Sequence, residues 1–298
     1  MVGKVKKYLG IDVGGGSIKA DLIDISGNSF QREDIQTDKN WYNDAFLDHL
    51  RQMILRFPLD EFESIGLGTP GPIDIENTVI LSSANLSNLS NVPLGEYLGN
   101  FFQKKIYFNN DANCAALGEY YFGDNKNIQS LVVITLGTGY GCGWVHNGKI
   151  FNGYLGNGME AGHQTVVLNG ALCGCGSYGC VESYFSTKGF LGRYQERTGI
   201  ALPNARVFFE LVEKKDIDAE TILSFGIDAF ANSLKNIIHM INPDKIVLVG
   251  GITKSHNLFF EKTLGILDRI VFPVLRNHVR IEIGRGISGT LGAAALGF

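Results

Sequence analysis

The sequence predicts an α/β fold in two parts flanking a central cleft, and three observations support this. An order of strand, glycine turn and strand occurs twice, first in YLGIDVGGGSIKADLIDI from Tyr8 and again in LVVITLGTGYGCGWV from Leu131. Glycine makes up 38 of 298 residues, about 13% against a usual ~7%. It follows no fixed period and clusters at 14–16, 137–143, 174–179 and 250–251. The length of 298 residues suits two domains of about 150, and no low-complexity linker separates them.

YLGIDV is apolar enough for a buried strand, the three glycines after it form a tight turn, and SIKADLIDI has its apolar residues on one face. Gly27-Asn28 makes the next turn. Residues 42–57 have helical apolar spacing and stop before Pro58. SIGLG at 64–68 is a short strand running into the loop TPGPID. IYFNNDANCAALGEYYFG reads as a strand, a polar turn and a helix over 111–122. In the second part, Asn147-Gly148 is a hairpin turn, residues 216–241 form a long amphipathic helix, and KIVLVGG is a buried strand with its turn. The closing GISGTLGAAALGF is a small-residue helix suited to close packing. The expected domains are 1–112 plus 288–298, and 113–287 with a metal loop at 163–180.

Composition removes several function classes. With 45% apolar and 19% charged residues, the chain is not a disordered one. A net charge of −4 provides no basic field for nucleic acid or an anionic membrane. No run approaches the 18 apolar residues of a spanning helix, and Asp12 interrupts the apolar stretch near the start, which argues against a secretory signal. Five cysteines, an odd count, argue for a reducing compartment. A cytoplasmic protein is expected.

The glycine turns can be tested against known phosphate loops. A dinucleotide fingerprint fails, because Lys19 stands where its third glycine belongs and a strand follows. Gly143 to Lys149 nearly matches a Walker loop, but Ile150 replaces the hydroxyl residue and a hairpin surrounds it. Two strand-to-strand turns remain, DVGGGS at 12–17 and TLGTGYG at 135–141. Each can serve as a plain hairpin or as a nest of backbone amides for an anion, and Ser17 and Thr138 add hydroxyl donors. Lys19 reads as a solvated strand residue.

Cys173-Gly-Cys175-Gly-Ser-Tyr-Gly-Cys180, with His163 ten residues upstream, has the Cys₃His composition of a closed structural zinc site. The intervening glycines let the loop fold back on itself. Such a site leaves no position for water, so its metal organises structure. Glu160 and Glu182 are tied to the same region. Asn110-Asp111 lies at a strand end before a helix, where Asp111 would also suit an N-cap. Together these groups suggest a polyol site, with carboxylates and an amide bonding to sugar hydroxyls.

Five motifs make the chain resemble the ROK family of sugar kinases and repressors, within the actin-like ATPase superfamily. They are Asp12-Val-Gly-Gly, Gly68-Thr-Pro-Gly-Pro, Asn109-Asn110-Asp111-Ala112, Leu136-Gly-Thr-Gly-Tyr-Gly, and Glu160-Ala-Gly-His163 followed by Cys173 to Glu182. The chain departs from the family pattern at Gly16-Ser17 and at Gly158-Met159. The resemblance implies two actin-like, ribonuclease H-like domains and an ATP-dependent hexose kinase with Mg²⁺ and structural Zn²⁺. It makes Asp111 the catalytic base. Gly71, Asn85, Asn110, Asp111, Glu160, His163 and Glu182 become sugar contacts. Asp12, Gly14, Gly15, Gly137, Thr138, Gly139, Gly141, Gly250 and Gly251 become the nucleotide site, and His163, Cys173, Cys175 and Cys180 the metal ligands. Glucose is the expected substrate. Fructose, mannose, N-acetylglucosamine, N-acetylmannosamine and allose stay open, and a homodimer is implied. A repressor of this family needs roughly 60 residues of helix-turn-helix ahead of the first strand, where only seven precede Tyr8.

Overall fold

The computed structural model describes residues 5–83 and 86–298. Asn85, an expected sugar contact, lies outside the described residues. The chain begins with three strands, β1 (Lys7–Val13), β2 (Ser17–Asp24) and β3 (Ser29–Gln36), then helix α1 (Asn43–Ile54) and β4 (Phe62–Thr69). Short strands β5 (Ile73–Asp74), β6 (Val79–Ser82) and β7 (Ser90–Val92) lead to α2 (Leu94–Phe102), β8 (Lys105–Asn110) and α3 (Asp111–Phe122). The second series is β9 (Ser130–Leu136), β10 (Tyr140–His146), β11 (Lys149–Ile150), α4 (Thr187–Thr198), α5 (Ala205–Glu213) and α6 (Ile217–Ile241). It closes with β12 (Lys245–Val249), α7 (Phe260–Ile270), β13 (Arg280–Ile283) and α8 (Gly289–Ala295). No helix among the described residues is long and apolar enough to cross a membrane.

Two compact units result. The first holds Met1–Gln129, Gly143–Met159 and Arg285–Phe298, and the second Ser130–Cys142 and Glu160–Gly284. Relative to the division expected at 112/113, α3 and the segment 143–159 belong with the first unit. The physical reason is how α8 packs. An ideal Cβ on Gly292 of α8 would lie 1.9 Å from the Cys114 carbonyl oxygen of α3. Cβ atoms on Gly10 of β1 and Gly66 of β4 would lie 1.9 and 1.8 Å from the carbonyl oxygens of Thr290 and Ala293. Glycine thus lets α8 approach strand and helix backbone at distances no side chain permits, and α3 cannot be separated from the first sheet.

The first sheet has the order β3-β2-β1-β4-β8, antiparallel from β3 to β1 and parallel from β1 to β8. Its central strands are buried on both faces, and β3 alternates exposed with half-buried residues, as an edge strand does. Helix α1 buries Phe46, Leu47, Leu50, Met53 and Ile54, an apolar stripe at helical spacing. That stripe joins an apolar core with Leu9, Ile11, Ile65, Leu67 and Leu98.

The second sheet has the order β11-β10-β9-β12-β13, with β9, β12 and β13 parallel. Its unit is filled with aromatic rings. Phe185 stacks on Phe230 with centroids 4.3 Å apart and planes 7° apart, and Phe190 stacks on Phe208 at 4.8 Å and 13°. Asp216 caps α6 by accepting the Ala219 N–H at 2.8 Å, which fixes the start of the long helix expected from Asp216.

Candidate functional site

In the first unit, β1 delivers Asp12 to the turn before β2. Gly14 N–H donates to the Ser17 carbonyl at 3.0 Å, and Thr37 clamps the turn by donating from its hydroxyl to the Gly14 carbonyl and from its amide to the Gly16 carbonyl. The Gly14 amide is therefore occupied within the hairpin. The amides of Gly15 and Gly16 donate in no hydrogen bond among the described residues.

Strand β8 ends at Asn110 and α3 begins at Asp111. The cap is Asn110, whose Oδ1 accepts the Ala112 N–H at 2.8 Å. Asp111 Oδ1 accepts the same amide at 2.8 Å, which leaves Oδ2 without a partner among the described residues. Asp111 keeps a solvent-accessible face, yet crowding by surrounding protein raises its carboxyl pKa above the usual range, against the lowering effect of the Ala112 and Asp111 amides. Burial pushes Asp12 up to about 6, with the Asp111 charge adding and Lys19 opposing. The N-terminal end of α8 closes on Asp12, since an ideal Cβ on Gly289 would lie 2.6 Å from its Oδ2. The Cys114 thiol, buried beside the two carboxyls, is held neutral by burial and then by their charges.

Gly71 sits against this strand end, where a Cβ would lie 3.4 Å from Asn110 Nδ2 and 3.8 Å from Asn157 Oδ1. Asn157 grips the same loop from the other side, accepting the Ile73 N–H at 3.1 Å and donating to the Ile73 carbonyl at 2.8 Å. Behind Asn110, Asn109 Nδ2 donates to Asn152 Oδ1 at 2.9 Å and Asn109 Oδ1 accepts from Asn113 Nδ2 at 2.9 Å and from the Asn110 amide at 2.9 Å. These amide networks hold Asn110 and Asp111 in place. Asn109, Asn113, Asn152 and Asn157 were not among the expected site residues. Their one sequence signal is the density of asparagine around 109–113 and 152–157.

In the second unit, the turn between β9 and β10 holds Gly137, Thr138, Gly139 and, at the start of β10, Gly141. Gly137 N–H donates to the Gly139 carbonyl at 3.1 Å. The amides of Thr138 and Gly139 donate in no hydrogen bond among the described residues, and Thr138 is exposed. Gly250 follows β12 with φ of 105°, and its Cβ would strike the Leu136 carbonyl oxygen at 2.4 Å, so glycine is obligatory there. Gly251 borders an open cavity of about 630 Å³ lined by Thr187, Asn204, Phe209, Glu210 and Lys254 among others.

His163, Cys173, Cys175 and Cys180 place their ligand atoms within 4.8 Å of one another. Cys175 and Cys180 have sulfurs 3.7 Å apart, and Cys173 Sγ lies 3.6 Å from His163 Nδ1. A tetrahedral ion with bonds of about 2.3 Å to sulfur and about 2.0 Å to nitrogen requires edges of about 3.8 and 3.5 Å. The donor set and these two edges therefore suit a four-coordinate ion, and all five cysteines are free of disulfides. Glu160 accepts the His163 amide on its carbonyl at 3.0 Å, and its charge helps push the buried Cys142 thiol up to about 12, after burial itself. Glu182, two residues past Cys180, accepts the Tyr140 N–H on Oε2 at 2.9 Å.

Gln164, beside His163, donates to Ser233 Oγ at 2.8 Å and accepts from Asn236 Nδ2 at 2.9 Å, tying the cysteine–histidine loop to α6. These three residues carry no motif and were not expected. Ser186, also missed, caps α4, and the sequence Ser-Thr-Lys-Gly ahead of an apolar stretch was its available signal.

A duplicated α/β unit of strand order 3-2-1-4-5, with a glycine turn after the first strand of each copy, defines the class: the actin-like ATPase fold. A family model described as "ROK family" matches residues 8–297, and the chain belongs to the ROK family. It is 31% identical to a glucokinase of Thermotoga maritima, over 97% of this chain and 96% of that protein. It is 32% identical to an N-acetyl-D-glucosamine kinase of Escherichia coli O157:H7, over 97% and 98%. A xylose repressor of Bacillus spizizenii is 30% identical over 92% of this chain and 71% of the repressor. Among solved structures, a ROK family glucokinase of Streptomyces griseus in complex with glucose and AMPPNP superimposes with a TM-score of 0.79 at 25% identity, over 97% of this chain and 98% of the other.

Proposed function

We propose that this chain is an ATP-dependent sugar kinase that transfers the γ-phosphoryl group to a hexose hydroxyl, with glucose going to glucose 6-phosphate as the leading reaction. The observation carrying this reading is Asp111, a carboxylate at a helix start with a raised pKa and one oxygen free of described partners. It suits a general base that takes the hydroxyl proton as the sugar oxygen bonds to the γ-phosphorus and ADP leaves. The similarity to a glucokinase and an N-acetyl-D-glucosamine kinase over nearly the whole chain supports the same class.

In this reading Asn110, Gly71, Glu160, His163 and Glu182 bind the sugar. His163 turns Nδ1 toward the sulfurs and so keeps Nε2 for a hydroxyl. The amides of Gly15, Gly16, Thr138 and Gly139 take phosphate oxygens, with Gly14, Gly137 and Gly141 shaping the turns and Gly250 and Gly251 bordering the adenosine. Mg²⁺ would supply positive charge to offset what develops on the phosphates, and Asp12 would approach it through water. A zinc ion held by His163, Cys173, Cys175 and Cys180 contributes structure. The five free cysteines suit a reducing, cytoplasmic compartment, and the homodimer is carried by the family resemblance alone.

The test is ADP release with Mg-ATP against glucose, fructose, mannose, N-acetylglucosamine, N-acetylmannosamine and allose. One strongly preferred sugar is the expected result. Sugar binding without turnover would favour a second reading, a sugar-responsive regulator, for which the xylose repressor similarity speaks.

A further inference from the structure

We propose that Glu182 is a positioning residue for the glycine turn of the second unit, and that the segment 180–188 is a strap holding that turn in its nucleotide-binding shape. The inference rests on the reading of 137–141 as a nucleotide phosphate site. It assigns to Glu182 a task separate from bonding a sugar.

Four consecutive turn residues are held by this strap. Thr187 N–H donates to the Gly137 carbonyl at 3.0 Å, and Lys188 N–H donates to the Thr138 carbonyl at 3.2 Å. The space where a Gly139 side chain would stand is filled by Glu182 Oε2, 2.4 Å from an ideal Cβ. Tyr140 N–H donates to that same oxygen at 2.9 Å. The first two amides of α4 are thereby directed at loop carbonyls and not at a ligand. The turn's remaining amides, those of Thr138 and Gly139, are left to face an anion.

The strap is itself rigid. Ser186 Oγ donates to the Glu182 carbonyl at 2.7 Å and accepts the Gly189 N–H at 3.0 Å, so the 3₁₀ turn Val181–Ser183 and the start of α4 are locked together. Val181 N–H donates to the Gln164 carbonyl at 3.2 Å, and Gln164 is fastened to α6. Cys180 is fully buried. Glu182 thus divides its carboxylate. Oε2 belongs to the turn, and Oε1, which accepts a long contact from Cys173 Sγ at 3.9 Å, keeps a further lone pair for a substrate hydroxyl. One residue then serves both substrates of the proposed reaction.

The experiment measures ADP affinity by calorimetry with no sugar present, and the KM for ATP and for the sugar in the full reaction. Glu182→Ala removes the acceptor for Tyr140 N–H and is expected to weaken ADP about tenfold, the loss of a hydrogen bond to a charged group. Glu182→Gln keeps an acceptor oxygen and is expected to restore ADP affinity to within about twofold while the sugar KM stays raised. Circular dichroism verifies that both variants are folded. Wild-type ADP affinity in Glu182→Ala, with only the sugar KM changed, would overturn the proposal. Gly137→Asp tests the underlying reading independently, because its side chain enters space with nothing within 4 Å and repels a phosphate. Unchanged ADP binding in that variant means that the turn holds no phosphate, and both ideas then fall.

Discussion

The two five-stranded sheets share one strand order, and the units around them differ in the contacts that stand out. In the first, α8 lies directly on β1, β4 and α3 through Gly10, Gly66 and Gly292, where added Cβ atoms would come within 2 Å of backbone oxygens. In the second, stacked phenylalanines fill the space and side chains do the holding, Glu182 and Ser186 at the glycine turn and Gln164 at α6. The same topology can therefore be packed by close helix-to-backbone contact or by stacked rings, while each glycine turn is held by a neighbouring segment, Thr37 in the first unit and residues 182–188 in the second. The unit built by backbone contact carries the two carboxyls with raised pKa values, Asp12 and Asp111. The start of α8 closes on Asp12 at Gly289, and desolvation disfavours the charged form of each carboxyl.

Perturbations of each unit should separate chemistry from scaffold. The largest effect is expected in the first unit. Asp111→Asn should lower turnover by roughly 10²–10⁴-fold, the range for a lost general base, while the melting temperature holds. Steady-state kinetics beside a thermal melt checks this, and turnover within threefold of wild type would remove Asp111 from the mechanism.

The aromatic unit should respond in stability. Phe230 is fully buried against Phe185 and Phe259, and Phe230→Ala should cost about 3–5 kcal/mol in denaturant unfolding. Gly66→Ala is the counterpart in the first unit, and its clash with the Ala293 carbonyl should cost about 3 kcal/mol. Gly192→Ala offers the contrast. It lies inside α4 with nothing within 4 Å of its Cβ, so it should stabilise by up to about 1 kcal/mol.

Asp12 predicts a pH dependence. Its carboxyl pKa rises from 3.8 to about 6 on folding, so between those values the folded protein keeps a proton that the unfolded chain has released. Stability from this group is then greatest below pH 4 and falls as the pH climbs through 6. Asp12→Asn should be more stable than wild type by about 3 kcal/mol at pH 7, and the difference should vanish below pH 4. Unfolding curves at pH 4 and pH 7 decide it, and a constant difference would mean Asp12 does not titrate in this way.

Much of the frame was legible because its signals are local. The apolar runs of β1, β4, β9 and β12, the glycine turns, the helix at Asp111 and the Cys-Gly-Cys loop each lie within a dozen residues. The elements left unread lack that contrast. Strand β3 (SFQREDIQ) is a polar edge strand, β5 to β7 have two to four residues each, and α2, α4 and α5 gave no separate signal. The asparagine network behind Asn110 was illegible for another reason. Asn109 and Asn152 are 43 residues apart, and no spacing rule announces that their amides meet.

By itself the sequence determined the duplicated strand–turn–strand plan, the candidate base at a strand end and the four candidate metal donors, since period, turn chemistry and donor spacing are properties of adjacent residues. Tertiary structure alone decided that α3 stays with the first sheet, that Asn110 and not Asp111 caps α3, and that Glu182 spends one oxygen on the turn at Tyr140. Each of those outcomes depends on which distant backbone group comes within hydrogen-bonding or van der Waals distance, a property that exists only once the chain has packed.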